Sequence, residues 1–434
     1  MGSSPTILVL AEDDAAASVE AAGYTVVRSP SEAGVGGPDA VVIDTRGGLS
    51  FEVAARAQTI RSSLGPYGAP VLAFGEHDGV GGFDRSAFDG LLTDRNAPLQ
   101  MAARLNSAMR MAVMRDEATL RVGSLVRFGA RLDTPIDTNV GEVSILILGD
   151  PSPGILALSN ALEERGAKTV AAFSTFMAFD FLHAQSFDAV VVWATKDTDS
   201  GIGFCSALRR NARLFHLPAT IVVADGFDRM DEAFDRGASD VVQGSGALDP
   251  LAERLMGLAT EKRRRDGLHS AFKAARVPGA TDAATGLYNR AFFASHLSAQ
   301  VARAKDSGRP LAVAVIAVAD DEATQTLLRI RALNRVLAQA GGMMGRLVRA
   351  EDMAARLEQG VFAISLPSCG RDAALRAADR ISAVMACTAF DSGTDAPPMT
   401  LAFDLSATEL EPGDTAPRLL ARAISRFTAG GRML

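Results

Sequence analysis

Two stretches of this chain repeat one another, and that repeat constrains the fold more than any other feature. Asp39-Ala-Val-Val-Ile-Asp44 reads almost residue for residue like Asp188-Ala-Val-Val-Val-Trp193. Each is a short apolar run rich in β-branched residues, which suits a strand buried on both faces of a parallel sheet. A similar run precedes each copy, Ile7–Leu10 in the first and Ile145–Leu148 in the second. Another follows, Pro70–Phe74 and Thr220–Val223. Helical spacing lies between them, as in Ile155 to Arg165, where Leu156, Leu158 and Leu162 recur among polar positions. Alternating strands and helices predict an α/β fold with a doubly wound parallel sheet, present twice.

The copies differ in length. The offset is 138 between Ile7 and Ile145 but 149 between Asp39 and Asp188, so the first copy is 11 residues shorter across this stretch. The loss falls in the first helix and around the Gly-rich Ser31–Pro38, predicting a trimmed, partly looped helix layer. Residues Val122–Val143 mix Gly, Pro and polar types without a period and read as a linker. The expected organisation is a first domain over 1–120, a linker over 121–142, a second domain over 143–270 and a third over 271–434. Asp249-Pro250 is a helix start, with Asp as N-cap and Pro at the first helical position. That helix is expected to run through Lys262–Arg265 towards Ala275, until Val277-Pro278-Gly279 breaks it. In the third domain, strands are expected at Leu311–Val318 and Val361–Leu366, and helices at Ala291–Ala304 and Asp372–Met385.

Composition narrows the function classes. With 51 acidic against 44 basic residues the net charge is −7, which argues against general nucleic-acid binding, since that relies on cations to neutralise phosphates. The Lys262–Arg265 run reads as a solvated face near a helix C-terminus, where positive charge suits the helix dipole. Cys205, Cys369 and Cys387 are too few and too scattered for a disulfide framework or a metal pattern, and read as packing residues in a reducing compartment. His77, His183, His216, His269 and His296 stand apart in sequence, so no zinc site is expected. No apolar stretch spans a bilayer, and the opening lacks a charged and then apolar leader. Met1–Thr6 carries M-G-x-x-x-T, a weak myristoylation match that is read in preference as a start followed by a strand. The expected location is cytoplasmic, without membrane insertion.

The repeated unit, with an acid at the end of its third strand, resembles the receiver domain of response regulators, a flavodoxin-like fold. In that family two acids after the first strand hold Mg²⁺, the third-strand Asp accepts a phosphoryl group, a hydroxyl residue senses it and a Lys pairs with it. The resemblance puts Asp44 at the acceptor position, Ala11 and Glu12 at the acidic pair with Asp13 and Asp14 nearby, Gly75 at the hydroxyl position and Asp94 or its neighbour at the Lys position. In the second copy Trp193 replaces the acceptor, the pair falls on Gly149 and Asp150, and the Lys position falls on Gly244. The second domain therefore reads as an adaptor or dimerisation surface.

The third domain opens with Asp282-Ala-Ala-Thr285-Gly286-Leu287-Tyr288-Asn289-Arg290. This resembles the D-x-L-T-G-L-x-N-R opening of GGDEF domains, nucleotidyl-cyclase-like folds that make cyclic di-GMP from GTP. Gly430-Gly431-Arg432 weakly echoes the family's terminus. The signature itself falls on Glu358-Gln359-Gly360-Val361-Phe362, keeping only the Phe in place. By the resemblance, the metal-binding acids become Val361 and Ala317, with a further acid at Ala319. Two-metal chemistry needs such carboxylates, so no cyclase activity, no metal and no cofactor are expected. Arg349-Ala-Glu-Asp352, however, is an R-x-x-D in register with that signature, and Arg380 matches the third residue of the family's inhibitory product site.

That resemblance implies cyclic di-GMP as ligand, held by Arg349, Asp352 and Arg380, with Arg165 and Lys168 of the second domain as candidates to close over it. The receiver–receiver–GGDEF layout resembles the PleD family. For a branch with a lost signature it implies a cell-pole adaptor that helps deliver CtrA, with RcdA, to the protease ClpXP, and a homodimer through the receivers. The alternative is a phospho-switch in which Asp44 controls dimerisation and the R-x-x-D is vestigial.

Overall fold

The computed structural model describes residues 5–34, 36–45, 51–64, 68–75, 88–92, 98–129, 142–244, 248–393 and 397–428. They form two compact units: Ser4–Ala112 with Thr138–Gly267, and Val113–Asp137 with Leu268–Leu434.

The first unit holds two parallel sheets. One is built from β1 (Thr6–Leu10), α1 (Asp13–Ala21), β2 (Thr25–Val27), β3 (Ala40–Asp44), α2 (Phe51–Ser63), β4 (Val71–Phe74) and β5 (Gly90–Leu92), followed by α3 (Pro98–Arg127). The other runs β6 (Val143–Gly149), α4 (Pro153–Glu163), β7 (Ala167–Ala172), α5 (Thr175–Ala184), β8 (Ala189–Trp193), α6 (Thr198–Arg210), β9 (Ala219–Val223), α7 (Met230–Asp235), β10 (Asp240–Gln243) and α8 (Leu248–Ala274). The strand orders, β2-β1-β3-β4-β5 and β10-β9-β8-β6-β7, are one topology. It is the 2-1-3-4-5 order of flavodoxin-like doubly wound sheets. The central strands are wholly buried, because β-branched runs without polar interruption fit a sheet covered on both faces.

The repeated Asp has a structural task. Thr6 donates its backbone N–H to the Asp39 carboxylate at 2.8 Å, while the Asp39 N–H donates to the Thr6 carbonyl at 2.7 Å. Ser144 and Asp188 repeat this reciprocal pair at 2.9 and 2.7 Å. The pair satisfies backbone groups that the ladder leaves open where two parallel strands begin. The shorter first copy carries only a four-residue 3₁₀ turn, Pro30–Ala33, where the second has the ten-residue α5.

The second unit contains β11 (Tyr288–Asn289), α9 (Arg290–Ser307), β12 (Leu311–Val318), α10 (Glu322–Arg329), α11 (Leu333–Leu347), β13 (Met353–Glu358), β14 (Val361–Pro367), α12 (Arg371–Ala386), β15 (Phe403–Glu409) and α13 (Ala416–Thr428). The sheet order is β11-β13-β14-β12-β15, with β12 antiparallel to both β14 and β15. Alternate residues of β12 serve two cores. Ala312, Ala314, Ile316 and Val318 pack with Leu337, Met344 and Phe390, whereas Leu311, Val313, Val315 and Ala317 pack with Phe292, Phe293 and Leu419.

Two expectations need correction. The segment 121–127, read as the start of a linker, is the last part of α3. Two of its polar residues, Arg121 and Ser124, are buried with partners, so the segment carries no apolar period. Only Arg264 of the Lys262–Arg265 run is exposed; the other three are paired. Lys262 is buried and bonded to Asp266 at 2.6 Å, Arg263 binds Asp188 at 2.8 Å, and Arg265 binds Glu261 at 3.1 Å.

Candidate functional site

The residues from Asp282 to Arg290 build a tight turn that leads into α9. The Asp282 carboxylate accepts from the Thr285 N–H at 2.9 Å and from its hydroxyl at 2.7 Å. Gly286 takes φ +69°, a left-handed conformation that glycine adopts without strain. Thr285 fits because Gly341 on α11 has no side chain; a Cβ there would lie 2.5 Å from that of Thr285. Asn289 caps α9 by accepting the Phe292 N–H at 2.9 Å. Burial works against ionisation of Asp282, but the Thr285 hydrogen bonds and the Arg356 charge outweigh it and hold its carboxyl below the usual range. Arg290 then reaches Glu358 at 2.5 Å, tying the end of this motif to the start of the stretch where the resemblance places the signature.

That signature spans the β13–β14 hairpin, where Gly360 has φ +74°. Across the sheet Val361 is the direct partner of Ala317. Both are buried among apolar neighbours. The two positions that the resemblance gives to metal-binding acids are therefore brought together, and both side chains are aliphatic. Among the described residues, no group of three or more His, Cys, Asp or Glu is placed to hold a metal ion.

The R-x-x-D lies between α11 and β13. The Asp352 N–H donates to the Arg349 carbonyl at 3.2 Å, a turn that brings positions i and i+3 together. Arg349 is exposed and Asp352 half-buried. Burial raises the Asp352 carboxyl, Glu351 raises it further, and Arg349 and Arg121 oppose them; the result is a pKa of about 7. Close by, the Cys369 thiol is pushed up to about 11, chiefly by burial and then by Asp352, with Arg349 and Arg376 acting in the other direction. So Arg349, Asp352, Cys369 and Arg376 share one neighbourhood. Arg380 sits on the same helix as Arg376, one turn further along, and is exposed. Arg376 was missed in the sequence because nothing but its distance from Arg380 marks it; that distance, four residues, is one helical turn.

In the flavodoxin-like sheets, Asp44 ends β3 and Glu12 precedes α1. Arg28, unremarked in the sequence, sends its guanidinium to the Asp13 carboxylate and the Ala11 carbonyl, both at 2.6 Å. Gly75 follows β4 with φ +149°. Asp94, Gly430–Arg432 and the first four residues of the M-G-x-x-x-T pattern lie outside the described residues. In the second sheet Trp193 packs against two glycines. A Cβ on Gly154 would meet its ring at 2.5 Å, and one on Gly149 would meet its Cβ at 2.7 Å. Gly244 closes β10 by donating its N–H to the Val223 carbonyl at 2.7 Å. Arg165 is paired with Asp249 at 2.8 Å, and Lys168 is exposed on β7.

Comparison with known proteins agrees with the C-terminal geometry. Residues 279–428 match the family model described as diguanylate cyclase, GGDEF domain. The chain is 26% identical over 204 residues to the diguanylate cyclase DgcP of Pseudomonas aeruginosa, a match covering 47% of this chain and 30% of that protein. Similar solved structures include the GGDEF domain of DgcB from Caulobacter crescentus in complex with c-di-GMP. It is 20% identical, with TM-score 0.33, covering 36% of this chain and 94% of that one. A sensory box/GGDEF family protein from Caulobacter crescentus is 26% identical, with TM-score 0.31, covering 35% and 100%. No helix among the described residues is long and apolar enough to cross a membrane. Residues 279–428 of this chain thus form a GGDEF domain.

Proposed function

We propose that the protein is a cyclic di-GMP effector that binds the dinucleotide at Arg349 and Asp352 and does not synthesise it. One observation carries this reading. The paired Ala317 and Val361 offer no carboxylate to a metal, while a turn keeps Arg349 and Asp352 together on the same domain. Guanine presents the acceptors N7 and O6 on one edge, which a guanidinium fork meets at once. Its N1–H and N2–H donors suit the ionised Asp352. Arg376 and Arg380, successive turns of one exposed face, supply cations for the phosphates or a flat surface for a base. The finer reading is of the PopA type within the PleD family: two receiver-like modules, placement at a cell pole, and adaptor work for CtrA proteolysis with RcdA and ClpXP.

Calorimetry with cyclic di-GMP tests the binding half. Arg349→Gly is expected to weaken affinity at least tenfold, consistent with losing one bidentate guanine contact, about 1–3 kcal/mol. Unchanged affinity refutes the assignment. Incubation with GTP and Mg²⁺ tests the other half, and product formation would overturn the non-catalytic reading. The phospho-switch alternative keeps a foothold because Asp44 lies at the C-terminal end of β3. It predicts that Asp44→Asn abolishes function while Arg349→Gly is silent.

A further inference from the structure

The last part of α3, residues 113–127, packs inside the C-terminal unit, and its polar side chains are spent on an unusual contact. Arg121 is 3% exposed. Its Nε and Nη2 donate to Glu117 Oε1 at 2.9 and 2.7 Å. The same guanidinium reaches the backbone of the R-x-x-D turn: Nη1 lies 3.4 Å from the Ala350 carbonyl, and Nη2 lies 3.1 Å from that of Glu351 and 3.4 Å from that of Asp352. The cation is stacked over Phe272 at 4.6 Å and Tyr288 at 5.6 Å.

Behind it, Glu117 is fixed in turn. His296 Nε2 meets Glu117 Oε1 at 2.8 Å, and Gln300 donates to Oε2 at 3.0 Å. The other ring nitrogen of His296 meets the Ser124 hydroxyl at 2.9 Å. A fully buried ion pair is weak evidence for stability as such, because desolvation offsets the Coulomb gain. What this one provides is direction: a rigid fork, braced by α9, aimed at three consecutive carbonyls of one turn.

We infer that Arg121 is the positioning residue of the R-x-x-D site, setting the turn that presents Asp352 and coupling occupation of the site to the 113–127 helix. The inference rests on the cyclic di-GMP reading above. Because the Arg121 fork and the ligand would hold the same turn, each favours the other, and by linkage the two effects are equal in factor.

The test uses the full chain. Hydrogen–deuterium exchange with and without cyclic di-GMP is expected to show ligand-dependent protection of amides within 113–127, at least threefold in rate. Calorimetry on Arg121→Met is expected to show affinity reduced about tenfold, as befits the loss of a charged hydrogen bond, with protection of the helix lost. Arg121→Lys, which keeps the charge but not the fork, should fall between. If Arg121→Met does not fold, the exchange experiment on the unaltered chain decides alone. Wild-type affinity in Arg121→Met, or a helix whose exchange ignores bound ligand, overturns the coupling while leaving the binding site intact. A wild-type chain that takes up no cyclic di-GMP overturns the functional reading and this inference with it.

Discussion

An Asp240→Ala variant is expected to lose about 3–5 kcal/mol of stability in the unit that carries the two parallel sheets, the cost of breaking a buried ion pair from one side. Asp240 opens β10 and is fully buried. Arg254 of α8 binds it twice, at 2.9 and 2.6 Å. From α3, Gln100 donates to it at 2.6 Å and Arg104 approaches to 3.2 Å. Burial alone would raise its pKa, but the two arginines outweigh that and hold it below the usual carboxylate range. Its contribution is therefore present above the unfolded-state value and fades as pH falls through the folded one. Removing the carboxylate strands two guanidinia and an amide where α3 meets the second sheet. Thermal unfolding should show the loss at pH 7 and a smaller difference near pH 3. A triple change, Asp240→Leu with Arg104→Met and Arg254→Met, should recover most of it. If the single variant unfolds like the parent, the cluster is not what joins the two sheets.

The second large effect has opposite signs for stability and for binding. Asp352 carries a folded-state pKa of about 7 against an unfolded value near 3.8. The folded chain then holds a proton that the unfolded chain has released, so stability falls as pH rises from 3.8 to 7 and stays level above. Asp352→Asn removes this penalty. The gain is expected to be absent near pH 4 and on the order of 2 kcal/mol at pH 8, allowing for partial exposure. The same variant should bind cyclic di-GMP at least tenfold more weakly, since an amide turns a donor towards one of guanine's two donors. In the parent, affinity should drop about tenfold between pH 8 and pH 6 as the carboxylate protonates. Paired melting and calorimetry at both pH values check this, and an Asn variant that is neither more stable nor weaker in binding refutes it.

Much of the architecture was legible because it rests on local rules. The β-branched runs at Ile7, Asp39, Ile145 and Asp188 became strands close to where they were expected. So did Leu311–Val318, where eight apolar residues in succession exceed what one face of a helix uses. The 11-residue deficit of the first copy pointed partly to the first helix, which forms as α1, and partly to Ser31–Pro38, where the described residues show only a 3₁₀ turn. The features that escaped are those in which polar residues do buried work. Arg121 and Ser124 looked like linker because their partners, Glu351, Asp352 and His296, lie more than 170 residues away. His296 looked solitary for the same reason. Lys262 and Arg263 looked solvated because Asp188 was counted as part of a strand motif, not as their counter-ion. At the candidate site, register singled out Arg349, Asp352 and Arg380, whereas the presence of Arg376 beside Cys369 required coordinates.

The indole at residue 193 constrains what can stand beside it. Its ring rests on Gly154 and its Cβ lies against Gly149, so that a Cβ on either glycine would clash with it. Replacing the tryptophan by a smaller side chain would open a void beside Gly154 and expose its backbone. The glycine at 154 and the indole at 193 are therefore matched, and a substitution at one is tolerated only with a compensating change at the other.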